Sequence, residues 1–148
     1  MIPAVEKFEE RVRKSFALQA ACKSIGLTMR SVEPGKVVLD LPFNSKFTQQ
    51  HGFMHAGIIT TALDTACGYA AFSLMPEDAA VLSVEFKTSL LRPASGETFT
   101  IVGRVIKPGK NISFCEAEVI AFDRDTKSKT VATMTATMMA VFNPTIRD

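Results

Sequence analysis

The sequence contains no tryptophan, one tyrosine and two histidines, so imidazole chemistry can come only from His51 and His55. These histidines have no third ligand at a suitable spacing and form no His-Glu-x-x-His motif, and we therefore predict no metal site. The three cysteines lie far apart in the chain, without a Cys-x-x-Cys pair. Free thiols in a reducing compartment are the simplest interpretation, which favours a cytoplasmic protein over a secreted, disulfide-linked one.

A strong charge of either sign is also missing. The 17 Lys and Arg nearly balance the 15 Asp and Glu, giving a formal net charge of +2, so neither nucleic acid nor a membrane is predicted as a partner. The first residues, MIPAVEKFEERVRK, are too charged for a signal peptide. At 148 residues, of which 47% are hydrophobic, the chain is predicted to form a single domain over 1–148, with an N-terminal helix in 1–24 and the core in 25–142.

The periodicity of apolar residues predicts an α+β fold. A spacing of four predicts an amphipathic helix over 5–22, and a nearly continuous apolar pattern predicts a second helix from His55 to about Met75, stopped by Pro76. Alternating patterns predict strands, the third of which alternates Leu82, Val84, Phe86 and Leu90 with polar residues; the strands cover 27–32, 36–41, 82–90, 99–105, 112–122 and 130–142. The expected architecture is a long antiparallel sheet with one apolar helix.

That apolar helix carries a single charge, because Asp64 is the only charged residue in 56–75. The stretch is long enough to cross a bilayer, but a central carboxylate costs about 2.5–3.5 kcal/mol there. A buried helix of a soluble domain is therefore the better prediction. Since the helix has almost no polar stripe, it must be surrounded, either by a strongly curved sheet or by a sheet and a partner subunit.

Helical geometry separates Asp64 from the start of its helix. His55 and Asp64 are nine residues apart, so they point about 180° apart and lie about 13 Å from each other along the axis. If both act in one site, they must come from different subunits of a dimer. The free N–H groups of His55, Ala56 and Gly57, with the Gln49 amide, suit an oxyanion. A facing carboxylate can then act as nucleophile or general base in acyl transfer, without a metal.

The motif Gln49-Gln50-His51-Gly52-(x)2-His55-Ala56-Gly57-(x)6-Asp64 resembles that of hotdog-fold acyl-CoA thioesterases of the phenylacetate-degradation (PaaI-like) type. The segments LSVEFKTSLLRPASGE and GRVIKPGKNISFCEAEVIAF are similar to the same family, so the resemblance covers roughly residues 25–142. It implies a hotdog fold, in which a curved antiparallel sheet wraps a long central helix. It also implies homodimers, often paired into tetramers, and an acyl-CoA substrate with no separate cofactor, coenzyme A being part of the substrate.

The resemblance also implies roles for individual residues. Asp64 is expected to be the catalytic carboxylate, and the amide of Ala56 to polarise the thioester carbonyl. Gln49 is expected near the thioester or the attacking water, His55 to shape the helix start, and Ser83 to lie close to the carboxylate. The nucleotide part of coenzyme A is expected at one turn with two lysines and a glycine, made of Lys107, Pro108, Gly109, Lys110, Asn111 and Ile112.

One departure and several alternatives accompany this interpretation. Ala56 stands where the family usually has the first glycine of His-Gly-Gly; its N–H is kept, but the methyl group narrows the space for an acyl group. Asp64 can instead be a structural carboxylate bonded to Thr60 or Thr61. A hydratase or dehydratase and a non-catalytic acyl-CoA binding module are the alternative functions. The acyl group, dimer versus tetramer, and nucleophile versus general base are left open by the sequence.

Overall fold

The fold was taken from a computed structural model that describes residues 1–124, 128–143 and 145–146. Helices α1 (Phe8–Leu18) and α2 (Ala20–Ile25) precede strands β1 (Thr28–Glu33) and β2 (Lys36–Pro42). Helix α3 (Ala56–Phe72) is followed by β3 (Ala80–Leu90), β4 (Thr98–Lys107), β5 (Ile112–Phe122) and β6 (Ser128–Val141). The strands form one antiparallel sheet in the order β1-β2-β4-β5-β6-β3, which confirms the predicted α+β architecture.

The sheet curves around α3, which packs against β2, β3, β4, β5 and β6. The closest approach is at Gly103 of β4, where an added Cβ would lie 2.4 Å from the carbonyl oxygen of Ala66. A side chain there would push the sheet off the helix, so a glycine is required. Strand β5 has a face of small residues, which is also buried and consists of Cys115, Ala117, Val119 and Ala121. No helix within the described ranges is long and apolar enough to cross a membrane.

Helix α3 is buried except along one stripe. Ten of its seventeen residues are buried. Ala56 and Ile58 in the first turn are half-buried, and the other residues with access to solvent are Gly57, Thr60, Thr61, Asp64 and Gly68. At 100° per residue, the last five of these lie within an arc of about 100° and share one face of the helix. The only charge of α3 therefore lies on the one face that its own sheet leaves uncovered.

The N-terminal region differs from the single predicted helix. The chain turns at Gln19, whose ψ of 102° ends α1, and α2 begins one residue later. Tertiary packing explains the turn: Phe16 of α1 makes an edge contact with Tyr69 at 5.7 Å between ring centroids, while α2 directs Cys22 into the core. Arg11 secures α1 to the end of α3, donating to the carbonyls of residues 75 and 79 at 3.0 and 2.7 Å.

Strand β3 lies at the sheet edge and contains a bulge between Ser83 and Glu85. On either side of it, Ser83 pairs with Met138 and Phe86 with Ala136, both of which are buried. Without the bulge, strict alternation would place Ser83 and Phe86 on opposite faces. The simple alternation predicted from the sequence is therefore wrong along this strand, and the inserted residue turns Ser83 towards α3.

Candidate active site

The start of α3 is built around His55. Its backbone is extended, and its Nδ1 accepts the N–H of Gly57 at 2.9 Å, so the imidazole caps the helix. The His55 carbonyl accepts from Ile58 and Ile59. The N–H of Ala56 donates to no acceptor in the described part of the chain. This amide is thus free at the positive end of the helix dipole, where it can hold a developing oxyanion.

Gln49 lies beside this amide in a tight loop. Its Oε1 accepts the N–H of His51 at 2.5 Å and that of Phe53 at 3.4 Å, while Gly52 turns the backbone with a φ of +83°. The carbonyl end of Gln49 is therefore used inside the loop, and its NH2 group is left for a ligand. Gln49 and Ala56 line the same cavity of about 410 Å³.

The remaining lining of this cavity, called here the helix-start cavity, is mostly apolar. Ile59 of α3, Leu90 and Leu91 at the end of β3, and Val131 of β6 all contribute to it. Arg92 adds a positive charge at its rim and is fixed by a 2.8 Å hydrogen bond from Nη1 to the carbonyl of Thr130. Such a cavity can take a chain that extends from the thioester, with an anionic group farther out.

Asp64 lies halfway along the uncovered stripe of α3 and is half-buried. Its Oδ1 accepts the hydroxyl of Ser83 at 2.6 Å, a short distance typical of a charge-assisted hydrogen bond. No hydrogen bond joins Asp64 to Thr60 or Thr61 among the described contacts; the threonine hydroxyl of Thr61 donates instead to the carbonyl of Gly57. The carboxylate is thus oriented by the bulged strand and keeps Oδ2 for a reaction.

Asp64 and Ser83 open onto a second, smaller cavity of about 210 Å³. No residue lines both this cavity and the helix-start cavity. Within one chain, therefore, the carboxylate and the free amide face different spaces. The structure brings together Gln49, Ala56 and Gly57 at one position and Asp64 with Ser83 at another.

The turn expected to contact a nucleotide joins β4 to β5. Gly109 is required there, because an added Cβ would lie 2.1 Å from the carbonyl oxygen of Ile112. Asn111 accepts the N–H of Ala140 at 2.8 Å, and Lys107 and Lys110 are exposed. Part of the turn lines a cavity of about 250 Å³ together with Ala71 and residues 74–76, at the opposite end of α3 from Ala56. Since α3 has 17 residues, the two ends lie roughly 25 Å apart.

Cysteine and metal chemistry have little support at this site. Burial raises the pKa of the Cys67 thiol, and it raises that of Cys115 to about 12. Both thiols therefore remain protonated at neutral pH and are poor nucleophiles. Among the described residues, no three His, Cys, Asp or Glu side chains lie close enough together to hold a metal ion.

Two features of the site were not predicted from the sequence. Arg92 lies within the segment LSVEFKTSLLRPASGE, directly after a predicted strand. A cation at the end of a strand can bind an anionic ligand, and this is the only indication of its role in the sequence. Gln19 lines the cavity of Asp64, although it belongs to a helical sequence pattern with no glycine or proline nearby. Only the tertiary packing of α1 and α2 brings it there.

Comparisons with known proteins identify relatives of this chain. A family model described as "Thioesterase superfamily" matches residues 51–128. The crystal structure of a thioesterase family protein from Silicibacter pomeroyi is 48% identical, covers 92% of this chain and 99% of its own, and superposes with a TM-score of 0.90. Human acyl-coenzyme A thioesterase 13 is 28% identical over 94 residues, which is 63% of this chain and 66% of the human protein.

The PaaI protein of the E. coli phenylacetic acid degradation operon has the same fold. It is 22% identical in sequence, and the superposition has a TM-score of 0.81 and covers 93% of this chain and 96% of the PaaI chain. With the family match, this similarity confirms the hotdog fold predicted from the sequence.

Proposed function

The chain belongs to the thioesterase superfamily of hotdog-fold thioester hydrolases, and from this premise we propose that it is an acyl-CoA thioesterase with sites shared between two subunits. Water and an acyl-CoA or aryl-acyl-CoA would yield a free carboxylic acid and the thiol of coenzyme A. The observation that carries the proposal is the separation of Asp64 from the Ala56 amide. Each group is poised for acyl transfer, yet they open onto different cavities of one chain.

Antiparallel pairing of two α3 helices would bring Asp64 of one chain close to the Ala56 amide of the other. Thr60 lies midway between Ala56 and Asp64, so a two-fold axis at Thr60 would set Ala56 of one chain against Asp64 of its partner. The helix face available for this pairing is the uncovered stripe that contains both Thr60 and Asp64. Its small and polar residues permit a close approach of two helices.

The exposed edge of the sheet supports the same pairing. Strand β3 is the edge strand of the sheet and exposes three apolar side chains. These are Leu82, Val84 and Phe86, with exposed fractions of 44%, 53% and 45%. Long edge strands with exposed apolar side chains associate with other strands unless they are covered. We therefore propose that two chains pair their β3 edges, which would bury these residues and bring the α3 helices together.

In the proposed reaction, the thioester carbonyl accepts hydrogen bonds from the Ala56 N–H and the Gln49 NH2 group. Asp64 of the other chain then acts in one of two ways. It attacks the carbonyl carbon and expels the thiolate of coenzyme A, leaving an anhydride that water hydrolyses to the free acid and the restored carboxylate. Alternatively, it removes a proton from the attacking water and returns it to the thiolate when the C–S bond breaks. Ser83 holds the carboxylate through its 2.6 Å hydrogen bond. Arg92 at the rim and the Lys107–Ile112 turn supply positive charge and backbone amides suited to the phosphates of coenzyme A.

Replacing Asp64 by asparagine tests this function. The substitution keeps the side-chain shape and removes the carboxylate, so kcat for acyl-CoA hydrolysis is expected to fall by about 10²–10⁴-fold, with a smaller change in KM. Hydrolysis is followed with a panel of acyl-CoA substrates and a thiol reagent. Asp78→Asn, at an exposed carboxylate outside the site, is the matched control and is expected to match wild type.

The outcomes separate the alternatives. If wild type is no faster than Asp64→Asn with every acyl group, the proposal is wrong. Tight binding of acyl-CoA without turnover would identify a binding module instead. Addition of water to an enoyl-CoA by wild type, without thioester hydrolysis, would identify a hydratase.

A further inference from the structure

The small cavity beside Asp64 contains groups to which the proposed reaction gives no role. It lies between the uncovered stripe of α3, the start of β3 and the junction of α1 with α2. Asp64 and Ser83 are at one side of it. Its other lining residues are Gln19, Thr65, Gly68, Tyr69, Val81 and Leu82.

The exposed Gln19 side chain is held at this cavity by a hydrogen-bond network that runs into the core through the buried Cys22. Its Oε1 accepts the thiol of Cys22 at 2.9 Å, and the Cys22 sulfur lies 3.7 Å from the hydroxyl of Thr65, the residue next to Asp64. Thr65 in turn donates to the carbonyl of Thr61 at 2.7 Å. Burial raises the pKa of the Cys22 thiol, so it remains a donor. With its oxygen held in this way, Gln19 presents two amide N–H donors to the cavity.

Gly68 leaves the cavity open one turn beyond Asp64. A Cβ built on Gly68 would meet no heavy atom within 4 Å. A glycine in the middle of a helix normally destabilises it relative to alanine. Within one chain, neither a positive φ nor a close backbone contact explains this glycine, since its backbone is helical and no heavy atom of the chain lies within 4 Å of the added Cβ. What the glycine provides is space next to the reactive carboxylate.

The charge and volume of the cavity indicate which part of an acyl-CoA it accepts. Its lining contains one charged residue, Asp64, which repels phosphate groups. Its volume of about 210 Å³ is below the roughly 300–1,000 Å³ of clefts that bury drug-sized ligands. That is too small for the pantetheine arm with its nucleotide, but sufficient for a compact acyl group.

Building on the function proposed above, we propose that Gly68 and Gln19 determine acyl specificity: the missing side chain of Gly68 admits a compact acyl group beside Asp64, and the Gln19 amide donates to a hydroxyl or carbonyl at its far end. Gln19 lies outside residues 51–128, the part that matches the family model. The specificity would thus be supplied in part by an N-terminal segment that is held against α3 by Arg11 and Phe16.

Filling the space at Gly68 tests the size limit. Gly68→Ala and Gly68→Leu are compared with wild type on acetyl-, butanoyl-, hexanoyl- and dodecanoyl-CoA. With Gly68→Leu, kcat/KM for butanoyl- and hexanoyl-CoA is expected to fall about 10–200-fold relative to acetyl-CoA, and Gly68→Ala should show the same trend more weakly. Ala17→Leu, on the exposed side of α1, is the matched control, and the oligomeric state of each variant is measured.

An equal loss of kcat/KM for every acyl-CoA, at unchanged oligomeric state, would overturn the proposal, because the cavity would then hold a part common to all substrates. No change with Gly68→Leu would overturn it as well. If Gly68→Leu does not fold, the acyl-chain preference of Gly68→Ala becomes the test of the size limit. Alanine favours the helix, and its methyl group would meet no heavy atom within 4 Å. A wild type inactive on all acyl-CoAs would instead refute the proposed function itself.

Replacing Gln19 by leucine tests the polar contact. The substrates are hexanoyl-CoA and 6-hydroxyhexanoyl-CoA. The preference of wild type for the hydroxylated chain, expressed as the ratio of kcat/KM values, is expected to fall about three- to tenfold, the effect of one lost hydrogen bond. An unchanged ratio of kcat/KM values would show that the Gln19 amide does not bind the hydroxyl group of the acyl chain.

Discussion

Replacing Ala56 by proline would delete one N–H group from the proposed oxyanion site with little change in the backbone. Ala56 is the first residue of α3, a position at which proline is favoured because its N–H has no intrahelical acceptor. The residue before a proline must be extended, and His55 already is, with a φ of −60° and a ψ of 136°. The hydrogen bond from the Gly57 N–H to His55 Nδ1 does not involve the deleted group.

The expected magnitude follows from the state of this amide. Since no described acceptor takes the Ala56 N–H, its loss breaks no bond of the folded chain. Stability should then be unchanged or rise by about 0.4–1 kcal/mol, because proline restricts the unfolded state. If the amide stabilises the transition state, kcat should fall by about 10²–10³-fold, the cost of one oxyanion-hole donor.

Thermal unfolding and steady-state hydrolysis of one acyl-CoA separate the two effects. Ala56→Gly keeps the N–H and removes only the methyl group, so it is the matched control and should retain kcat. A proline ring that merely obstructs the cavity would raise KM and leave kcat intact. An Ala56→Pro variant with wild-type Tm and a kcat within about threefold of wild type would refute the assignment of this amide as the donor.

Two further predictions concern the rest of the site. Ser83→Ala removes the 2.6 Å hydrogen bond to Asp64 and is expected to lower kcat about tenfold with little change in Tm. The control Ser89→Ala, on the other face of β3, should leave kcat unchanged. Equal kcat values for the two variants would contradict a positioning role for Ser83. Mixing Ala56→Pro with Asp64→Asn subunits in equal amounts should restore about a quarter of wild-type activity, because half of the dimers are mixed and each of those has one intact site. Failure to regain activity, with subunit exchange demonstrated by mass, would place both groups in a single-chain site.

Regular periodicity made much of the fold predictable. Strand β5 was predicted over the same residues, 112–122, that it occupies, because its small residues alternate strictly with larger or charged ones. Helix α3 was predicted because its apolar run far exceeds the length of a strand. The break at Gln19 and the bulge after Ser83 were not predictable in this way. Both depend on what α1 and β3 pack against, and neither involves a glycine or a proline.

The candidate site was predictable to the extent that it depends on spacing along one helix. Nine residues separate His55 from Asp64, and helix geometry alone places them on opposite sides, whatever surrounds the helix. The contact between Asp64 and Ser83 required more information, because the bulge that turns Ser83 inward has no local signal. Gln19 needed the full tertiary structure, since 45 residues, including α2, β1 and β2, separate it from Asp64.

The uncovered stripe of α3 connects the stability of the fold to the proposed chemistry. The sheet buries ten residues of the helix but leaves Asp64 on a face that a second α3 helix can cover. On the proposed dimer axis, covering that face also carries the Ala56 amide and the helix-start cavity of one chain to the carboxylate of the other. Burial of the apolar β3 edge would then supply the driving force for assembly, and the assembled interface would position the catalytic groups. In the proposed dimer, a lone charge in an apolar helix would be tolerated because it would lie at the border between two subunits rather than in the interior of one.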